Sequence, residues 1–243
     1  MPHKAHAVVA AMPIELAPLI GKLSARQVNG VDLFDLPNAI VAVGGIGEGF
    51  ARRAAEAAIQ DAQPKRLISA GVVGAISPAL KVGDVGRIRE VVDVATEFRY
   101  PSSDGGNWVL ATSQEVSDAS GKQELLSKYG ADVVDMEGAA VAQVAKEHGL
   151  EFAAIKSISD DAEFAMPPLN RFISDGKFDT RRFLIYIALH PRWWGTLGKI
   201  KKNSEIATEK LCEAVKHLIE GTEKGLGARG PRENLGSRCS TWE

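Results

Sequence analysis

Acidic side chains stand at the ends of two apolar segments in the middle of the chain. Asp135 and Glu137 end the first segment, and Ser159 and Asp160 end the second. We predict that both segments are buried strands with one helix between them, and ligands of α/β proteins bind beyond the carboxyl ends of such strands. Taken singly, Glu137 fits the N-terminus of a helix and Asp160 fits a cap equally well. The two strand ends together favour a binding or catalytic site.

A third carboxylate, Glu15, follows the apolar run 7–12. Pro13 is favourable at a first helical position, so we predict a helix from Pro13 to Leu23 with Glu15 in its first turn. The alternative is that Glu15 only complements the helix dipole, which is worth about 1 kcal/mol or less. The glycine-rich turn 44–49 has neither P-loop nor dinucleotide-binding spacing, and we predict a tight turn there.

Bulk composition narrows the class of protein. With 243 residues and 45% hydrophobic content, the chain fits one soluble α/β domain. A formal net charge of -2 argues against a nucleic-acid partner. Cys212 and Cys239 lie far apart without metal or redox spacing, and no signal-peptide pattern is visible, so we expect a cytoplasmic protein. No apolar run is long enough to span a bilayer.

The chemistry predicted for the chain rests on carboxylates. No Gly-x-Ser-x-Gly turn and no convincing Cys/His pair for covalent catalysis is present. The histidines show no metal-ligand spacing, so we expect neither a metal nor another cofactor. They are His3, His6, His148, His190 and His217.

Apolar runs and helical patterns alternate along the first two thirds of the chain. This alternation predicts a largely parallel or mixed sheet with helices on both faces. Besides the strands at the carboxylates, predicted strands are 7–12, 31–36, 39–43, 66–71, 87–95 and 108–111, and predicted helices are 50–62, 121–129 and 139–148.

The C-terminal third has a different character. The predicted helix 180–189 is apolar on every side and is expected to be buried, in the core or in an interface. Because Trp193, Trp194 and basic residues flank it, the alternative is a peripheral membrane contact through 183–194. A last helix is predicted over 204–219. We expect a catalytic domain over 1–222, with an atypical helical part from 180 onward, and a disordered tail over 223–243.

Two central motifs carry a resemblance to a known family. Segments 134–142 and 155–160 resemble the signature of the nucleoside phosphorylase and nucleosidase superfamily, and within it the methylthioadenosine/S-adenosylhomocysteine nucleosidases. Segments 11–15, 45–47 and 80–85 agree in order and spacing. The resemblance covers roughly residues 7–161. It implies a single-domain, three-layer αβα fold with a mixed, barrel-like central sheet, and a homodimer.

The resemblance also implies roles for individual residues. Asp160 matches the general acid that protonates purine N7, and Glu15 matches the carboxylate that activates the attacking water. Glu137 matches the residue that binds the ribose hydroxyls, with Met136 against the sugar. The other substrate contacts that it implies are Met12, Ile46, Gly71, Val72, Phe98, Val116, Asp135 and Ser159.

These roles suit the cleavage of an N-glycosidic bond, which proceeds with oxocarbenium character at the anomeric carbon. Adenine leaves poorly as an anion, so an acid must protonate the ring while a second carboxylate orients water. Related phosphorylases bind phosphate with arginines after the first strand and before Gly71, and this chain has none at either place. Water is therefore favoured over phosphate as the nucleophile.

Several positions depart from the nucleosidase pattern. Lys156 stands where an arginine is usual, Val72 replaces a serine near the ribose, and Val116 replaces the aromatic side chain that stacks on the purine. The segment between Tyr100 and Trp108 is short. The run 181–202 instead resembles the hopanoid-associated phosphorylases, relatives thought to release adenine from adenosylhopane.

The function predicted from the sequence is hydrolysis of an adenine nucleoside such as methylthioadenosine or S-adenosylhomocysteine. Release of adenine from adenosylhopane is the alternative within the same chemistry. The alternative of another class is a nucleoside-binding protein without turnover, which would require Glu15 or Asp160 to be misplaced.

Overall fold

The computed structural model describes residues 4–115, 118–164 and 167–221. The strands of the main sheet are β1 (His6–Ala10), β2 (Arg26–Val28), β3 (Val31–Asp35), β4 (Ala39–Val43), β5 (Arg66–Ala75), β6 (Val85–Asp93), β7 (Arg99–Pro101), β8 (Trp108–Thr112), β9 (Val133–Asp135) and β10 (Glu151–Asp160). A small hairpin consists of β11 (Ile173–Ser174) and β12 (Lys177–Phe178). The α-helices are α1 (Ala17–Ile20), α2 (Glu48–Ala62), α3 (Ala119–Tyr129), α4 (Gly138–Glu147), α5 (Thr180–Leu189) and α6 (Trp194–Glu220).

The main sheet closes on itself over part of its width. Its strands follow the order β10-β6-β8-β9-β5-β1-β4-β3-β2, and β10 also pairs with β5. The five strands β5, β9, β8, β6 and β10 therefore form a closed ring of mixed direction. This confirms the predicted α/β fold with a mixed, barrel-like sheet.

Side chains alternate between two cores on the opposite faces of the sheet. In β1, Ala7 and Val9 pack in a cluster with α2 and α4, whereas Val8 and Ala10 pack in a cluster with α6. This is the two-residue period of a strand that is covered on both faces. The helices on the two faces give the predicted three-layer αβα arrangement.

The N-terminal helical segment is shorter than predicted. A 3₁₀ turn occupies Pro13–Leu16, and α1 ends at Ile20 instead of continuing to Leu23. Pro18 lacks the N–H that a continuous helix from Pro13 would donate to the Ile14 carbonyl, so the 3₁₀ turn and α1 are separate. The Glu15 side chain also folds back onto preceding backbone amides, which favours the tight turn.

Helix α5 has the predicted bounds but is only partly buried. Phe183 and Ile187 pack in a small cluster with Phe172, whereas Leu184, Ile185 and Leu189 are exposed. The prediction that this helix is buried in the core is therefore wrong for its outer face. Burial of that face in an interface stays a prediction.

Other differences concern short strands and helix ends. Strands β2, β7, β11 and β12 were not predicted, because two or three residues give too little periodicity. Helix α6 begins ten residues before the predicted start. Among the described residues, no helix combines the length and the hydropathy needed to cross a bilayer. The predicted division at residue 222 is untested, since the predicted tail lies outside the described residues.

Candidate active site

Glu15 is a buried carboxylate held by backbone amides. Its Oε2 accepts hydrogen bonds from the N–H groups of Ala11 (3.0 Å) and Met12 (2.8 Å), and its Oε1 accepts one from Val72 (3.1 Å). Burial raises the pKa of Glu15, and these amides together with the Lys156 ammonium act in the opposite direction. The amides orient the carboxylate and stabilise its ionised form.

The approach of Glu15 to β5 depends on Gly71. A Cβ atom at that position would lie 3.0 Å from Glu15 Oε1 and 3.6 Å from Lys156 Nζ. Contacts this short are rare, so any larger residue would displace the carboxylate. The glycine therefore keeps Glu15 in hydrogen-bonding range of the next residue, Val72.

Glu137 lies immediately before α4 and faces the glycine-rich turn. Its Oε1 accepts a 2.7 Å hydrogen bond from the Gly47 N–H. Burial, followed by the negative charges of Asp135 and Glu15, raises the pKa of Glu137 to about 8. The raised pKa favours the protonated form of this side chain, and a protonated carboxyl can donate as well as accept hydrogen bonds.

Asp135 and Lys156 form a buried ion pair beneath these carboxylates. Lys156 Nζ lies 2.8 Å from Asp135 Oδ2 and donates to Ser69 Oγ at 3.0 Å. Asp135 also accepts hydrogen bonds from Thr112 Oγ1 and from the Gly138 N–H. The predicted substrate contact Asp135 is thus saturated by protein groups, and it holds Lys156 in place.

These groups surround one small cavity. Glu15 and Glu137 both line it, although 122 residues separate them in the sequence. The predicted residues Gly71 and Val72 line it as well, and so does Lys156. The remaining lining residues are small: Val9, Ala10, Ala11, Ala51, Ser69 and Ala70.

Asp160 lies at the end of β10, beside this cavity rather than in its lining. Its Oδ2 is 2.7 Å from Lys122 Nζ, and its Oδ1 accepts a hydrogen bond from Ser159 Oγ at 3.0 Å. The side chains of Asp160 and Lys122 are each only 7% exposed. A Cβ at Gly74 would lie 2.9 Å from Asp160 Oδ2, so this glycine makes room for the pair.

The carboxyls of Asp160 and Glu15 contact the same strand. Asp160 lies against Gly74 of β5, and Glu15 contacts that strand at Gly71 and Val72. Two to three residues of a strand correspond to roughly 7 to 10 Å.

The sequence interpretation missed Lys122. This residue lies in the first turns of α3, 38 positions before its partner Asp160, and no motif marks it. One signal was present: a cation near a helix N-terminus is unfavourable to the helix dipole. Asp118 already caps this helix, so an unfavourably placed lysine in its first turns indicates that the lysine has an acidic partner elsewhere in the fold.

Other predicted contacts lie outside the cavity lining. Met12 and Met136 contribute backbone N–H groups to Glu15 and Glu137, and Ile46 is buried with its N–H bonded to the Gly176 carbonyl. Phe98 is 43% exposed, with the Lys146 ammonium 4.0 Å from its ring centroid. The position of Val116 lies outside the described residues.

Within 4–115, 118–164 and 167–221, no group of three or more His, Cys, Asp or Glu side chains is arranged to hold a metal ion.

Comparisons with solved structures show the fold. Futalosine hydrolase of Helicobacter pylori is 18% identical, with 90% of this chain and 98% of that chain covered and a TM-score of 0.67. The 5′-methylthioadenosine/S-adenosylhomocysteine nucleosidase of the same organism, complexed with an inhibitor, is 18% identical over 91% and 100% of the two chains, with a TM-score of 0.66. The 5′-methylthioadenosine nucleosidase of Arabidopsis thaliana is 19% identical over 91% and 98%, with a TM-score of 0.67.

Sequence comparison gives the family directly. No curated protein sequence matches the chain. The family model described as the phosphorylase superfamily matches residues 5–109 and 108–181, which is most of the chain and includes every carboxylate of the site. The chain therefore belongs to the phosphorylase superfamily.

Proposed function

We propose that this protein hydrolyses the N-glycosidic bond of an adenine nucleoside of the methylthioadenosine or S-adenosylhomocysteine type. One observation carries the proposal: Glu15 is held by three backbone amides in a cavity that also contains Glu137. An oriented, ionisable carboxylate of this kind suits the activation of a water molecule. The solved nucleosidases of similar fold add support, since they are named for these substrates.

In the proposed reaction, the water attacks the anomeric carbon while the bond to the base breaks. Glu15, in its ionised form, accepts a proton from the water, and Asp160, in its protonated form, donates a proton to N7 of the leaving purine and becomes the carboxylate that pairs with Lys122. The two proton transfers balance, and the products are free adenine and a free sugar. Each transfer contributes on the order of 10²–10⁴-fold to the rate.

Glu137 is assigned to the ribose hydroxyls. The raised pKa of Glu137 favours its neutral form. Hydrogen bonds donated by the sugar hydroxyls would favour its ionised form. Met136, Met12, Ile46, Ser159 and Val72 are the further residues proposed to contact the substrate.

Water rather than phosphate is proposed as the nucleophile because of the charges around the cavity. Its lining residues include the carboxylates Glu15 and Glu137, and the one lysine among them, Lys156, is paired with Asp135. A phosphate dianion would be repelled by the Glu15 carboxylate, and the one lysine in the lining is already neutralised by Asp135.

A direct test is to incubate the protein with methylthioadenosine and with S-adenosylhomocysteine, with and without phosphate, and to identify products by mass spectrometry. We expect adenine and free sugar in both conditions. A sugar 1-phosphate formed only with phosphate would contradict hydrolysis. Binding without release would instead support the non-catalytic binding protein.

A second substrate is favoured by one specific observation, the exposed apolar face of α5. That face suits a nucleoside with a large apolar substituent, and adenosylhopane is the candidate. Release of adenine from adenosylhopane, and from neither smaller nucleoside, would assign the protein to this substrate.

We also propose a homodimer in which Phe98 of one subunit approaches the cavity of the other. The exposed position of Phe98 supports this assignment. Sedimentation would give the subunit number, and Phe98→Ala should raise KM without changing the fold. A monomeric, fully active protein would contradict the proposal.

A further inference from the structure

The outer face of α5 and the start of α6 carry large apolar side chains in contact with solvent. Leu184 is 49% exposed, Ile185 53%, Leu189 73% and Trp194 60%. We call these four residues the α5–α6 patch. Ile185 and Leu189 lie one turn apart on the same helix face, because residues four apart are neighbours, and Leu184 adjoins Ile185 in the sequence. Single exposed apolar residues are ordinary, but four together indicate an interaction surface.

Trp194 presents hydrocarbon rather than a polar atom to its surroundings. Its indole N–H donates a 2.9 Å hydrogen bond to the carbonyl of Ile187, within the protein. An exposed tryptophan usually directs its N–H toward water or a partner. Here the polar group is already satisfied, so the exposed ring suits an apolar medium.

The patch lies in a strongly basic part of an acidic chain. Between residues 180 and 203 there is no Asp or Glu, while the whole chain has a formal net charge of -2. The basic side chains in this segment are all exposed: Arg181, Arg182, Arg192, Lys199, Lys201 and Lys202. Apolar side chains beside a concentration of basic ones are typical of helices that lie at the surface of anionic membranes.

We propose that the α5–α6 patch docks the protein onto the surface of an anionic lipid membrane. The apolar side chains enter the boundary between head groups and acyl chains, and the basic side chains contact lipid phosphates. The protein rests on the membrane without crossing it. This proposal does not depend on the proposed enzymatic activity.

Charge also argues against a second copy of this chain as the occupant. A two-fold interface places the same patch on both subunits. Two copies of the basic segment would then face one another without an acidic residue from either segment to offset them. An anionic lipid surface, by contrast, offers negative charge to every basic side chain of the segment.

The patch is connected to the candidate active site through a short stretch of chain. Gly176, in the turn between β11 and β12, accepts a 2.7 Å hydrogen bond from the Ile46 N–H. The neighbouring Gly47 N–H binds Glu137. Because α5 begins at Thr180, four residues after Gly176, docking would hold the glycine-rich turn close to the lipid surface.

The test is flotation of the full chain with vesicles of phosphatidylcholine alone or with about 30% phosphatidylglycerol. We expect recovery with the anionic vesicles, at least about tenfold weaker recovery with the neutral ones, and loss in high salt. Leu189→Glu and the double variant Arg181→Glu/Arg182→Glu should each abolish recovery. Leu23→Glu, at an exposed leucine outside the patch, is the matched control and should float like the wild type.

Thermal unfolding of each variant verifies that these surface changes leave the fold intact. Failure of the wild type to float with anionic vesicles would overturn the proposal. Equal flotation of the wild type and both patch variants would overturn it too. So would a lipid-independent dimer that Leu189→Glu dissociates, because the patch would then belong to a subunit interface. None of these results bears on adenine release, which is measured separately.

Discussion

The Lys122 ammonium lies 2.7 Å from the Asp160 carboxylate, and both side chains are almost wholly buried. Ser159 Oγ donates a hydrogen bond to the other carboxylate oxygen, so each oxygen of Asp160 has a partner that orients it. In the proposed reaction negative charge develops on the purine as the glycosidic bond breaks. A fixed cation next to the acid would stabilise that charge, because burial makes such interactions stronger than in water.

Lys122 is therefore expected to act as a positioning residue for Asp160. Lys122→Met should lower kcat for adenine release by at least about tenfold, since it removes the cation and one anchor of the carboxyl group. Lys122→Arg retains the charge and should retain more activity. The measurement is steady-state kinetics of both variants, with nucleoside affinity determined in parallel.

A second measurement separates this role from a loss of stability. In an Asp160→Asn background, Lys122→Met should cause little further loss of activity, because groups that act as a unit are not additive. Independent, multiplying losses would show that Lys122 does not act through Asp160.

Removal of the Glu15 carboxylate should abolish hydrolysis while the cavity keeps its shape. Glu15→Gln retains the length of the side chain and an oxygen that can accept hydrogen bonds from the amides of Ala11 and Met12. We expect a loss on the order of 10²–10⁴-fold in kcat with nucleoside binding largely preserved. Glu48→Gln is a suitable control, because Glu48 is an exposed carboxylate next to the glycine-rich turn. Equal losses in the two variants would exclude a specific role for Glu15.

The sequence indicated much of this site because strand ends are local features. The run 39–43 was predicted as a strand with the bounds of β4, and the predicted helix 139–148 differs from α4 by one residue at each end. Glu15 and Asp160 follow β1 and β10, which both run parallel to β5, so their strand ends lie at the same edge of the sheet. Glu137 follows β9, which runs antiparallel to β5, and its position was not predictable from this rule.

What the sequence did not indicate depends on tertiary contacts. Lys122 meets Asp160 through a side-chain contact between α3 and the end of β10, across 38 positions of the sequence. The outer face of α5 has the same apolar composition as a buried helix, and only the packed structure shows that Leu189 is exposed. The turn at Glu15 results from three backbone amides, one of them on β5.

Glu137 is expected to make the protein less stable as pH rises. Its pKa is near 8 in the folded state against an ordinary 4.5, so between these values the folded protein holds a proton that the unfolded chain has released. Stability therefore falls across this interval and levels off above it. Glu137→Gln removes this loss and should be more stable than the wild type by about 1 to 3 kcal/mol at about pH 8.

The comparison is made by urea denaturation at several pH values. Near about pH 5, where Glu137 is protonated in the folded protein, the variant and the wild type should differ little. The charge of Glu15 contributes to the raised pKa of Glu137, so the difference reports on the two interacting carboxyl groups together. A stability difference that does not change with pH would contradict the assignment.

The ion pair between Lys156 and Asp135 is expected to be costly to break from one side. Lys156→Met leaves the Asp135 carboxylate buried without its cation, at a cost of about 3 to 5 kcal/mol. Adding Asp135→Asn removes that charge, while the amide oxygen still accepts from the Gly138 N–H. The double variant should therefore be more stable than Lys156→Met alone.

The exposed pair of Lys128 and Glu97 provides the control, because Lys128→Met breaks an ion pair of similar length in solvent. If Lys128→Met changes the free energy of unfolding little, while Lys156→Met lowers it strongly and Asp135→Asn partly restores it, burial determines the effect. If the losses of stability from Lys156→Met and Asp135→Asn simply add, the two charges are not coupled.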